Sequence, residues 1–111
     1  MTNPLISKVE EKAKSAPVVI FMKGTPQFPQ CGFSARACQV LNAAGISNLV
    51  GVDVLSDDPL WGALEEYTQW PTVPQIFIHG KFVGGCDIIC EMSENGELQA
   101  MLKQAVPPRS V

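Results

Sequence analysis

The sequence predicts an α/β domain, a four-stranded mixed sheet with helices on both faces. Three features of the 111-residue chain predict it. Short apolar runs bounded by Pro, Gly or Asp alternate with stretches whose apolar residues recur every three or four positions, the signals of buried strands and amphipathic helices. Helical stretches separate the early runs, as crossovers between parallel strands require. The late runs "VPQIFI" and "KFVG" are joined only through His79-Gly80, which is hairpin spacing.

Each element has its own signals. Asn3 is placed to cap a first helix, Pro4 suits its first position, and Leu5, Val9, Ala13 and Ala16 form its apolar stripe before Pro17 ends it. "VVIFM", residues 18–22, is apolar throughout and reads as a strand covered on both sides. After the loop 24–30, a helix from Gly32 to about Ala44 sets Ala37, Val40, Leu41 and Ala44 on one face, and Gly45 closes it. "NLVGVDV", residues 48–54, reads as the second strand. Asp58 and Pro59 open a third helix, in which Leu60, Leu64 and Tyr67 recur at helical spacing. Beyond the hairpin, Asp87 is expected to cap a helix carrying Ile88 and Met92. Asn95-Gly96 breaks it, and a last helix carries Leu98, Met101 and Leu102. Residues 106–111 are read as a flexible tail. The order αβαβαββα plus a terminal helix, without linker or internal repeat, makes residues 1–111 one domain of the thioredoxin-like kind.

Composition narrows the function. A chain with 46% hydrophobic and 17% charged residues is a compact globule, long enough to bury a core without metal or disulfide staples. A net charge of −3 argues against a nucleic-acid partner. No apolar run approaches the roughly 18 residues of a membrane span. "MTNPLISKVEEKAKSA" mixes both signs of charge, unlike a secretory signal or a transit peptide. The chain is therefore expected in the cytoplasm, or in the mitochondrial matrix with its transit segment absent from this sequence. Cys31, Cys38, Cys86 and Cys90 lack the spacing of a secreted disulfide scaffold, which points to a reducing compartment.

The stretch "KGTPQFPQCGFSARAC" carries the chemistry. Cys31 lies where a Pro- and Gly-rich loop meets a helix, and the free N–H groups and positive dipole end there favour a thiolate. Lys23 and Arg36 are candidates to add positive charge. A core cysteine acting as a small hydrophobe would instead sit in a periodic apolar run. One helical turn on, where a redox pair would place its second thiol, stands Ser34. Cys31 must then pair with an outside thiol or bind a metal. In "WPTVPQ", Val73-Pro74 immediately precedes an apolar strand; a cis bond there would offer the Val73 backbone to an extended peptide, whereas an ordinary edge-strand proline would not. "VGGCD" joins strand to helix through Gly84 and Gly85, and the N–H groups of such a junction accept a carboxylate. Taken together, the three stretches describe a site for a short anionic peptide carrying a thiol.

In this order and spacing, "KGTPQFPQCGFS", "WPTVPQ" and "GGCDI" resemble the monothiol glutaredoxins of the CGFS type, over nearly the whole chain from about Leu5 to Ala105. The resemblance implies glutathione as ligand and, in a homodimer, a bridging 2Fe-2S cluster passed to acceptor proteins, often with BolA-type partners. It makes Cys31 the iron ligand and thiol nucleophile, and gives Lys23 the glycine carboxylate of glutathione and a part in lowering the Cys31 pKa. Gly32 and Phe33 would border the site. Val73 would pair with the backbone of glutathione's cysteine, next to a cis Pro74, while Gly85, Cys86 and Asp87 would receive the γ-glutamyl end. One departure stands out. In "LEEYTQW", Glu65 occupies a position where most of the family has Lys or Arg, so weaker glutathione binding and a more labile cluster are expected.

Other residues read more blandly. Cys38 is expected to fill the core, and Cys86 borders the site and could join Cys31 or form a mixed disulfide. Cys86 and Cys90 stand four apart, as ligands on a helix might, with nothing nearby to complete a set, and are read as accidental. His79 belongs to a turn. Trp61 and Trp70 are assigned to packing or a partner surface, and Asp53, Asp57, Asp58, Glu65 and Glu66 to a solvated acidic face. Three functions remain open: a cluster carrier, a glutathione-dependent oxidoreductase using Cys31 alone, and a cofactor-free adaptor.

Overall fold

The computed structural model describes residues 3–46 and 48–105; the tail expected at 106–111 lies outside them. Strands β1 (Val18–Met22), β2 (Val50–Asp53), β3 (Gln75–Ile78) and β4 (Lys81–Gly84) form one sheet in the order β2-β1-β3-β4. β1 runs parallel to β2, with Phe21 beside Val52, and antiparallel to β3, with Ile20 beside Ile76. β4 returns antiparallel on β3 after a turn in which both His79 and Gly80 have positive φ.

Helices α1 (Ile6–Ala13) and α3 (Asp58–Thr68) lie on one face of the sheet, and α2 (Gly32–Ala43), α4 (Cys86–Asn95) and α5 (Glu97–Ala105) on the other. The continuous apolar run of β1 has a physical reason here. Val18, Ile20 and Met22 pack with Ala37, Leu41 and Ile89 on one side, while Val19 and Phe21 pack with Val9, Leu60 and Leu64 on the other. All five β1 residues are buried, as a two-sided strand demands.

Several boundaries move from their expected places, each for a local reason. The first helix begins at Ile6 rather than at Pro4, because Asn3 Oδ1 accepts the Leu5 N–H at 2.9 Å and holds a turn ahead of it. Asn3 Nδ2 meanwhile donates to Glu66 Oε2 at 2.7 Å, tying this turn to α3. The helix ends at Ala13, so Ala16 lies beyond it. The second strand stops at Asp53, whose carboxylate accepts the Leu55 N–H at 2.9 Å and folds Val54–Ser56 into a 3-10 turn. Asp57 caps α3 by accepting the Leu60 N–H at 3.1 Å, with Asp58 and Pro59 inside the first turn. Asp87 does not cap α4: Gly85 holds the cap position, and Asp87 sits in the first turn without a capping bond. On the acidic face Asp57, Asp58, Glu65 and Glu66 are exposed as expected, while Asp53 is half-buried; Asp53, Asp57 and Glu66 also make the local contacts described.

Candidate functional site

The C-terminal end of β1, the start of α2, the segment before β3 and the β4–α4 junction meet around one open cleft of about 600 Å³. Lys23, Cys31, Phe33, Val73, Pro74, Gly85, Cys86 and Asp87 line it, so eight of the nine expected site residues converge. Gly32 does not line the cleft. Residues far apart in the chain meet here because parallel β1 and antiparallel β3 both bring a loop to the same sheet end.

The loop before Cys31 is held by its own backbone. Thr25 and Phe28 exchange bonds at 3.3 and 3.0 Å, and the Gln30 N–H donates to the Lys23 carbonyl at 2.8 Å. Gly24 has φ +89°, and a side chain there would strike the Phe28 carbonyl, so only glycine fits. The Asp53 carboxylate accepts the Gly24 N–H at 2.9 Å and anchors the loop to the end of β2.

Cys31 occupies the cap position of α2 in extended conformation and is half-buried. Its pKa is lowered first by the backbone N–H of Ser34, then by that of Phe33, by the Lys23 ammonium and by the Ser34 hydroxyl, against the opposing effect of burial. Ser34 thus has two duties. Fully buried, it accepts the Lys23 N–H at 3.3 Å and supports the thiolate it cannot attack. Arg36 is not part of this charge environment; its Nε donates to Cys90 Sγ at 3.3 Å on the far side of the helix start. Cys38 is buried against Met22, with 3.7 Å between the sulfurs, and burial raises its pKa. That is the expected core role.

The opposite wall is built by Trp70–Pro74. The Val73-Pro74 peptide bond is cis. Gln75, fully buried at the start of β3, donates its side-chain amide to the carbonyls of Trp70 at 2.9 Å and Thr72 at 3.0 Å. Gly85 closes the corner, where a Cβ would come to 3.2 Å from the Pro74 carbonyl. Asp87 sits at the positive end of α4, facing the same space. Burial, and next the neighbouring Cys90, push the Cys86 thiol up to about 11. A raised pKa makes Cys86 the poorer nucleophile, and of the two cleft thiols Cys31 is the more readily ionised.

Sequence reasoning missed Trp61, Trp70, Pro71, Thr72 and Ile88, all of which line the cleft. The two tryptophans had been assigned to packing or a partner surface. Trp61 does pack against the core, and in addition Lys23 Nζ lies 5.6 Å from the centre of its ring, a cation–π contact that places the ammonium over the cleft wall. Trp70 leans on Phe82 at 6.0 Å between ring centres, and Phe82 in turn on Phe77 of the core. Its place directly before Pro71 to Pro74 was the available signal. Glu65 is exposed on α3 and does not line the cleft.

The arrangement can do three things at once: present one thiolate, pair with an extended backbone along Val73, and meet opposite charges at Lys23 and Asp87. A short zwitterionic thiol peptide is complementary to it.

Comparison with known proteins points the same way. The Glutaredoxin family profile matches residues 18–83. "Monothiol glutaredoxin-5, mitochondrial" of Lachancea kluyveri is 44% identical over 99 residues, covering 87% of this chain and 69% of that protein. The crystal structure of the holo form of glutaredoxin C1 from Populus tremula x tremuloides superposes with a TM-score of 0.82 at 36% identity, covering 91% of this chain and 88% of that one. A crystal structure of a buckwheat glutaredoxin–glutathione complex superposes with a TM-score of 0.80 at 29% identity, covering 91% and 89%.

Proposed function

The chain belongs to the glutaredoxin family, in its monothiol type with the motif Cys31-Gly32-Phe33-Ser34, and from that premise we propose that it binds glutathione in the cleft and carries a 2Fe-2S cluster to acceptor proteins. One observation carries this reading: a single thiolate-favouring sulfur shares a cleft with a cation, an open backbone and an anion. Lys23 receives the glycine carboxylate of glutathione. The Val73 backbone pairs with that of its cysteine beside Pro74, and Gly85, Cys86 and Asp87 hold the γ-glutamyl end, with Asp87 on the ammonium. Phe33 borders the bound peptide. The buckwheat complex supports glutathione as the ligand class.

The donor set also suits the cargo. Soft thiolates are the natural ligands of iron–sulfur clusters. Cys31 from each of two subunits and the thiol of each of two glutathiones make four. Ser34 supports this use, because a buried hydroxyl in place of a second thiol prevents Cys31 from closing a disulfide within the motif. The cleft mouth adds apolar area for a second subunit, an acceptor or a BolA-type protein, since Phe28 is 75% and Phe33 63% exposed. The site of action is a reducing compartment, either the cytoplasm or the mitochondrial matrix; the name of the Lachancea relative includes the word mitochondrial.

Anaerobic reconstitution with iron, sulfide and glutathione tests the reading. A coloured dimer that reverts to a colourless monomer when glutathione is removed is the expected result, and Cys31→Ser should abolish it. Colourless protein with rapid turnover on a glutathionylated substrate would make it an oxidoreductase instead. Neither activity would leave a cofactor-free adaptor.

A further inference from the structure

At the edge of the cleft, the first turn of α4 carries two sulfurs whose pairing the proposed function does not use: Cys86 lines the cleft and Cys90 stands one turn on. Cys86 and Cys90 lie one turn apart with their sulfurs 4.0 Å from each other, and Arg36 Nε reaches Cys90 Sγ at 3.3 Å. The four-residue spacing that looked accidental in the sequence brings the two thiols face to face. We propose that Cys86 and Cys90 form a binding site for a soft monovalent d10 cation, with Cu(I) as its type.

Geometry, ligand number and charge all support this. Bound to both sulfurs at about 2.3 Å, the usual thiolate distance for a d10 metal, an ion would span them at about 120° as they stand 4.0 Å apart, and the near-linear arrangement that two donors favour needs them only about 0.6 Å further apart. No third His, Cys, Asp or Glu completes a set among the described residues. Zn²⁺, which wants four donors, is therefore poorly served, whereas Cu(I) is selected by soft thiolates and tolerates few of them. Two thiolates around one monovalent cation leave a net negative charge. The Arg36 guanidinium offsets it from one side, and the positive end of α4, where Cys86 is the first helical residue, offsets it from the other. A disulfide fits less well, since Cβ atoms four apart on a helix are about 5–6 Å apart and a disulfide needs roughly 4 Å.

Binding replaces each thiol proton by a bond to the metal and releases that proton to solvent, with no change of oxidation state. Affinity should then rise with pH, by up to about tenfold per unit for each proton released.

The test uses the full, reduced chain under anaerobic conditions, without glutathione, titrated with acetonitrile-stabilised Cu(I) against a chromophoric Cu(I) chelator. One equivalent should be withheld from the chelator. Cys90→Ser should lower the affinity roughly a hundredfold or more by removing one of two thiolates, and Cys31→Ser should leave it nearly unchanged. In the unsubstituted chain with ¹³C-labelled cysteine, the first equivalent should shift the Cβ signals of Cys86 and Cys90 and leave that of Cys31 in place. This second measurement needs no variant to fold. Retention of full affinity in Cys90→Ser, no withheld equivalent, or a shift at Cys31 in place of the helix pair would overturn the proposal.

Discussion

Gln75 holds the wall of the cleft, and replacing it gives the sharpest test of how that wall is built. Its amide nitrogen makes two bonds, to the carbonyls of Trp70 and Thr72, from a fully buried position. At about 0.5–1.5 kcal/mol net for each bond, removing both costs about 1–3 kcal/mol. Gln75→Met keeps the side-chain volume while deleting the amide. It also deletes Oε1, which is buried without a partner among the described residues. Losing that stranded oxygen returns about 1 kcal/mol, so the net destabilisation centres on about 1 kcal/mol. Gln75→Glu removes the donors and sets a carboxyl against two carbonyl oxygens, and an uncompensated buried charge costs about 3–5 kcal/mol unless it protonates. Urea unfolding followed by tryptophan fluorescence measures both. With a slope of about 1 kcal/mol per molar urea for a chain of this size, the midpoint of Gln75→Met should fall by about 1 M. Glutathione affinity should fall with it, because the freed loop carries Val73. A Gln75→Met protein as stable as the parent, or a Gln75→Glu protein no worse than Gln75→Met, would refute the claim that this amide fixes the loop.

Three further outcomes are expected. The rate of Cys31 alkylation should rise with pH through a midpoint below the ordinary thiol value of 9.0. Lys23→Gln should move that midpoint up by more than Ser34→Ala does, and an unchanged Lys23→Gln profile would remove the ammonium from the explanation. Because the folded Cys31 pKa is depressed, its contribution to stability is complete above pH 9 and declines as pH falls through the folded value. Cys86 has the opposite sign: raised from 9.0 to about 11 in the fold, it contributes fully below pH 9 and loses that contribution as pH rises toward 11. Denaturation curves across that window should fall less steeply for Cys86→Ser than for the parent. Finally, Glu65→Lys should raise glutathione affinity a few-fold by adding one surface attraction for a carboxylate; calorimetry showing no gain would mean that the exposed Glu65 side chain lies too far from the ligand to matter.

The fold class, the number of strands and the place of Cys31 at a helix start were legible in the residues alone. Periodicity is a local property: five consecutive apolar residues in β1 report two covered faces wherever the strand sits. A cysteine between a Pro- and Gly-rich loop and a helix start finds the same backbone N–H groups in any tertiary setting. What the sequence could not decide was which side chains meet across the chain. Asp57 and Glu66 are exposed as the sequence suggested, but the partners of Asp53, Asp57 and Glu66, the backbone of Gly24 and Leu60 and the side chain of Asn3, are identifiable only after folding. Arg36 turned to Cys90 rather than Cys31, and Trp61 to Lys23, because helix rotation and strand order fix those directions. Local chemistry wrote the elements and the reactive sulfur; packing at one end of the sheet decided which residues surround it, since contact between distant residues depends on topology rather than on the identity of either one.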